Sequence, residues 1–134
     1  MEDKNKQEAK RWLAQAEDDL EAAKWESKGH FSPQACFLSQ QSAEKALKAY
    51  LYLNGEWQAW GHATITLLEL CLEYNPAFSK FRKSCRLLDR YYIPTRYPNG
   101  LPGGIPKENF TEEDADEGIK ASEEIVKAIK FAVS

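Results

Sequence analysis

Cysteine, histidine and methionine are scarce in this chain: three, two and one among 134 residues. Cys36, Cys71 and Cys85 are odd in number and form no CxxC pair, which argues against a disulfide scaffold or a zinc site. A reducing, cytoplasmic setting is the expectation that follows. The cysteines lie on or beside apolar stripes, where buried, inert thiols are the norm. His30 and His62 are far apart and neither opens an HExxH, so no metal site is expected. Gly100, Gly103 and Gly104 fit neither GxxxxGK[ST] nor GxGxxG, and no GxSxG elbow is present. Apolar runs are only a few residues long, so no membrane span is expected. The opening MEDKNKQEAK is charged and lacks the apolar stretch of a signal peptide. Internal repeats, low-complexity tracts and alternating β-branched segments are also missing, which argues against a sheet.

What is present is helical periodicity. With 43% hydrophobic and 29% charged residues the chain reads as one globular domain over 1–134. A first helix is expected over roughly 5–28, with the stripe Ala9, Trp12, Leu13, Ala16, Leu20, Ala23, ended by Gly29. A second begins with Ser32 as cap and Pro33 in the first helical position. Its stripe runs from Ala35 through Leu38, Ala43 and Leu47 to Leu53, and Asn54-Gly55 stops it. Its many small residues allow a neighbouring helix to come close. A shorter helix follows over about 62–73, then one over about 76–91 with the stripe Phe78, Phe81, Cys85, Leu88, Tyr92. The proline-rich stretch 93–110 should hold no helix. Thr111 and Asp114 then form a capping box for the last helix, buried along Ile119, Ser122, Ile125, Val126 and Ile129. The expected architecture is all-α: an up-and-down antiparallel bundle of four long helices plus one short helix.

Charge is unevenly laid out. Residues 80–96 carry Lys80, Arg82, Lys83, Arg86, Arg90 and Arg96 against Asp89 alone, and residues 108–124 carry eight acids against Lys120 alone. Either the two blocks are solvated faces with local pairing, or they mark an anion site or two helices that attract one another. The pI of about 5.5 means that the whole-protein field repels nucleic acid, so no strong nucleic-acid binding is expected.

Three spots could carry chemistry. The turn YYIPTRYP at 91–98 sets Tyr91, Tyr92, Arg96 and Tyr97 between prolines. Arg96 offers a planar fork for phosphate and the tyrosines offer stacking faces. The same residues fit a rigid connector in which Arg96 pairs with an acid of the last helix. On the second helix Gln40, Gln41, Glu44, Lys45 and Lys48 form the second spot: Gln41, Lys45 and Lys48 share a surface and Glu44 can pair with Lys48, and a solvated face accounts for all five. Trp57, Trp60 and His62 form the third spot, with a structural hydrogen bond expected for His62, and core closure or an oligomer contact for the tryptophans.

Taken together these segments resemble a HEPN domain (higher eukaryotes and prokaryotes nucleotide-binding). AKRWLAQAEDDLEAA is similar to the family's first helix and FSPQACFLSQQSAEKALKAYLYLNG to its second. GHATITLLEL resembles its His-led third helix, LLDRYYIPTRYPNGLP its tyrosine–arginine–proline turn, and FTEEDADEGIKASEEIV its closing helix. The ending is similar in style to the C-terminal domain of sacsin, and the whole resembles the small stand-alone prokaryotic members.

The resemblance implies a bundle that dimerises, and three possible jobs. The first is nucleotide binding at a basic dimer cavity, with ATP or GTP as ligand, no cofactor required, and Lys45, Lys48, Arg90, Tyr92, Arg96 and Tyr97 as candidate ligand-binding residues. The second is partnership with a separately encoded minimal nucleotidyltransferase in a toxin–antitoxin-like pair. The third is RNA cleavage. The ribonuclease members carry an Arg followed four to six residues later by His, and no such pair occurs here. The nucleotidyltransferase's Gly-Ser and spaced aspartates are absent too, so no catalytic residue is assigned and any transferase chemistry would belong to the partner.

Overall fold

The computed structural model describes residues 3–134. Asp3 accepts a hydrogen bond from the Lys6 amide at 2.8 Å and caps α1, Lys4–Lys28. The stripe predicted for this helix is its buried face, with Asp19 added and Trp12 half-buried. At the end of α1 the left-handed residue is His30, at φ 64°, rather than Gly29. The His30 imidazole pairs with Glu112 at the far end of the chain.

α2, Ser32–Leu53, departs from expectation at its start. Phe31 holds the cap position and no side chain caps the helix; Ser32 is its first residue and is buried. With Ser32 turned into the bundle, Pro33 eases the deficit by removing one amide that would lack a partner. At the other end Asn54 caps the helix, and Gly55 takes the left-handed φ of 91° that suits glycine.

α3 is Thr64–Leu72, and its first amides are capped from a distance. The Asp89 carboxylate accepts from Thr64 N at 2.7 Å, Thr64 Oγ1 at 2.7 Å and Ile65 N at 3.0 Å. The single helix expected over 76–91 is two pieces, a 3₁₀ helix Pro76–Phe81 and α4, Arg82–Asp89. Phe78 and Phe81 are three apart and both buried, and a 3₁₀ helix brings residues at that spacing onto one line. The chain then loosens into turns through Arg96. The stretch expected to hold no helix contains a 3₁₀ turn, Pro98–Gly100, and the one-turn α5, Pro106–Asn109. Both start on proline, which the first helical position tolerates. Thr111 and Asp114 exchange the predicted capping hydrogen bonds, at 3.1 and 2.8 Å, ahead of α6, Glu112–Val133.

α1, α2 and α6 pack on one another, and α3 and α4 close the side formed by α2 and α6. The pairs Lys24–Glu123 and Lys130–Glu17 show α1 and α6 antiparallel, and Ser42 with Ala16 and Trp12 with Tyr52 show the same for α1 and α2. Among the described residues there is no strand, and no helix is long and apolar enough to cross a membrane. The bundle is all-α, as expected. Leu47, Leu51, Leu67, Leu68, Leu88, Ile125 and Ile129 are fully buried at its centre. Each contributes roughly 1.5–3 kcal/mol, well above the fraction of a kcal/mol of an exposed pair such as Arg11–Glu8. Gly118 marks a close approach of α6 to the turn after α4: a Cβ there would meet the Tyr91 ring at 3.2 Å.

All three cysteines are buried as expected, and burial pushes each thiol up to about 12.

Candidate functional site

The turn after α4 is fixed from within. Tyr91 is buried, its ring edge-on to Phe110 and its hydroxyl donating to the Asp114 carbonyl at 3.4 Å. Burial holds its phenol above the ordinary tyrosine range. Thr95 is buried too, and its hydroxyl donates to the Tyr91 carbonyl. These two anchors leave Tyr92 half-exposed and turn Arg96 and Tyr97 outward.

Arg96 does not pair with an acid of the last helix. Its guanidinium carbon lies 4.4 Å from the centre of the Phe37 ring, 4.6 Å from that of Tyr92 and 5.3 Å from that of Tyr97. Its Nε donates to the Tyr92 carbonyl at 2.8 Å. Among the described residues it has no carboxylate partner, so its two terminal nitrogens point no charge-assisted hydrogen bond at the protein itself. An arginine bedded on rings and fixed through Nε is pre-organised for the forked recognition of phosphate or carboxylate.

Arg96 also borders a cavity of about 580 Å³. Phe31, Pro33, Phe37 and Ile105 give it apolar walls, and Lys107 and Glu26 stand at its edge. Lys107 Nζ lies 5.8 Å from the centre of the Phe31 ring. Two cations thus flank a partly aromatic cleft, a form suited to a planar anion.

The other candidates lie elsewhere. The face of α2 expected to be solvated is largely buried: Gln40 at 0%, Glu44 at 3% and Lys48 at 7% exposure. Lys48 Nζ donates to Glu44 at 3.1 Å and lies 5.7 Å from the centre of the Trp12 ring. Lys45 reaches Asp19 on α1 at 2.5 Å, and Gln15 donates to the same carboxylate at 2.9 Å. Both lysines are neutralised by internal carboxylates. Arg90 faces α6, beside Glu117 and Lys120, away from the Arg96 cluster. Of the six candidates, then, Tyr92, Arg96 and Tyr97 come together; Lys45 and Lys48 sit in ion pairs and Arg90 stands apart.

His62 makes the hydrogen bond expected of it and one contact more. Its Nδ1 lies 3.3 Å from both oxygens of Glu44, and its ring stacks on Tyr92 at 5.1 Å. Its carbonyl accepts from the buried Gln40 amide at 2.7 Å. Core closure does not hold for Trp57 and Trp60, which are 93% and 76% exposed. Among the described residues no three His, Cys, Asp or Glu side chains gather as a metal site would need. Reasoning from sequence missed Phe31, Phe37 and Lys107. Phe37 lay between apolar stripe positions, and Lys107 in the proline-rich stretch had no periodicity to place it.

The family model described as "HEPN domain" matches residues 9–132. A Methanocaldococcus jannaschii protein named "Putative toxin MJ1304" is 33% identical over 130 residues, covering 91% of this chain and 86% of its own length. The crystal structure of TT1696 from Thermus thermophilus superposes with a TM-score of 0.87 at 34% identity, over 91% of this chain and 95% of that one. ST0689, described as an archaeal HEPN homologue, gives a TM-score of 0.78 at 38% identity, over 94% and 98%. The chain belongs to the HEPN domain family.

Proposed function

We propose that this chain is a HEPN binding module that takes a phosphorylated ligand, a nucleotide such as ATP or GTP, on the turn built around Arg96. The observation that carries this reading is the Arg96 guanidinium, exposed, bedded on Phe37, Tyr92 and Tyr97, and without a carboxylate partner among the described residues. A phosphate would sit on its outer nitrogens, with Lys107 as a second cation and the base against the apolar walls beside Phe31 and Phe37. The module would act as a homodimer, the exposed Trp57 and Trp60 supplying apolar surface for self-association. Its three buried thiols suit a reducing, cytoplasmic setting. The name of the Methanocaldococcus jannaschii relative supports a place in a toxin–antitoxin-like pair.

Calorimetric titration with ATP, GTP and a short RNA, beside an Arg96→Ala variant, tests the reading. Micromolar binding of a nucleotide that the substitution abolishes is the expected result. Absence of heat with every ligand overturns it. The second reading then takes over: a non-catalytic partner of a separately encoded minimal nucleotidyltransferase, favoured by Trp25, Trp57 and Trp60, which are 74%, 93% and 76% exposed.

A further inference from the structure

The basic block of the sequence comes to lie beside the acidic one, because α4 packs against α6. The two blocks do not neutralise each other. Among the described residues no ion pair joins residues 80–96 to residues 108–124. Arg82 turns away to Glu69 at 2.8 Å. Asp89, the one acid of the basic block, is spent on the first amides of α3. Lys83, Arg86 and Arg90 are exposed and have no ion-pair partner there.

Lys83 and Arg90 border a groove that runs along α6. At one end Lys83, Leu87 and Arg90 face Lys120 and Ala121 across a cavity of about 540 Å³. At the other, Phe78, Lys80 and Phe81 face Lys127 and Ala128 across a cavity of about 760 Å³. Glu124 lines both, so the two adjoin at that residue. Phe131 stands at the far end, 86% exposed. Five lysines and arginines thus edge an apolar floor that carries only Glu117 and Glu124 as acids, in a chain whose net charge is −3.

We propose that this groove docks an acidic amphipathic helix of a partner protein. Charge complementarity calls for an acidic occupant. The floor of Phe78, Phe81, Leu87 and Ala128, with Phe131 beside it, calls for apolar side chains as well. A helix laid along α6 supplies both, with apolar anchors at i, i+3, i+4 and i+7 and carboxylates on its flanks. A phosphate backbone fits less well, since the apolar floor gives it nothing to bury. The α6 side of the groove runs from Glu117 to Phe131, so the docked helix would be about 15 residues, or about 21 Å, long. No residue of the groove belongs to the Arg96 cluster, so this proposal stands apart from ligand binding there.

The test is fluorescence anisotropy with a labelled synthetic peptide of about 15 residues, leucines at i, i+3, i+4 and i+7 and glutamates between them. It is titrated with the native protein, with the double variant Lys83→Glu/Lys127→Glu and with Arg96→Ala. All three positions are exposed, and circular dichroism verifies that each variant folds. Binding that falls about tenfold or more in the double variant, and stays unchanged in Arg96→Ala, is expected. Equal binding of a scrambled peptide of the same composition overturns the proposal, because charge alone would then suffice. No peptide binding at all overturns it too. Two further results would do so in favour of another occupant: a labelled RNA, but not the peptide, released by the double variant, or a dimer in sedimentation that the double variant splits while the peptide does not bind.

Discussion

Lys48 and Arg96 are both cations held against aromatic rings, and they serve opposite ends. Lys48 lies over Trp12 but spends its charge on Glu44, one helical turn earlier, with both side chains nearly out of solvent. Arg96 lies over three rings, and the residue four positions before it is Tyr92, which offers a carbonyl and no carboxylate. What separates a structural cation from one available to a ligand here is the nearest acid rather than the aromatic bed. Lys45 sits between the extremes, paired with Asp19 but about a quarter exposed.

The contrast can be broken by substitution. Lys48→Ala removes the one lysine paired with the buried Glu44 carboxylate, leaving it only the longer contacts with His62 and Gln41, and should cost about 3 kcal/mol of unfolding free energy in urea titration. A loss below about 1 kcal/mol would mean that water reaches Glu44, and the distinction would collapse. Lys45→Ala should cost about 1 kcal/mol, since its pair is partly solvated. Arg96→Ala should leave stability within about 0.5 kcal/mol while removing ligand binding. Should it instead unfold the protein at markedly lower urea, Arg96 is a staple of the turn.

The three long helices were legible in the sequence because their apolar residues recur at helical spacing and their ends carry recognisable residues: Asp114 answering Thr111, Asn54-Gly55 closing α2. The buried charges were not. Periodicity assigns Glu44 and Lys48 to solvent, whereas Trp12 from α1 and His62 from beyond α2 pack over them. The Arg96 turn could be singled out by its tyrosines and prolines. The rings that bed the arginine could not, because Phe37 comes from a helix more than fifty residues earlier. The short helices at Pro98 and Pro106 were hidden for a related reason: the prolines that rule out a helix interior also serve as starting residues.

The reach of Asp89 back to Thr64 and Ile65 has a consequence for how the molecule opens. α3 is nine residues long, too short to persist alone, and its first amides are satisfied by a side chain 25 positions later. Its start therefore holds only while the end of α4 is in place. Amide protons of α3 should exchange with those of α4 as one cooperative unit, ahead of the α1–α2–α6 core. The side of the bundle that carries the basic groove and leads into the Arg96 turn is thus the part that unlatches first.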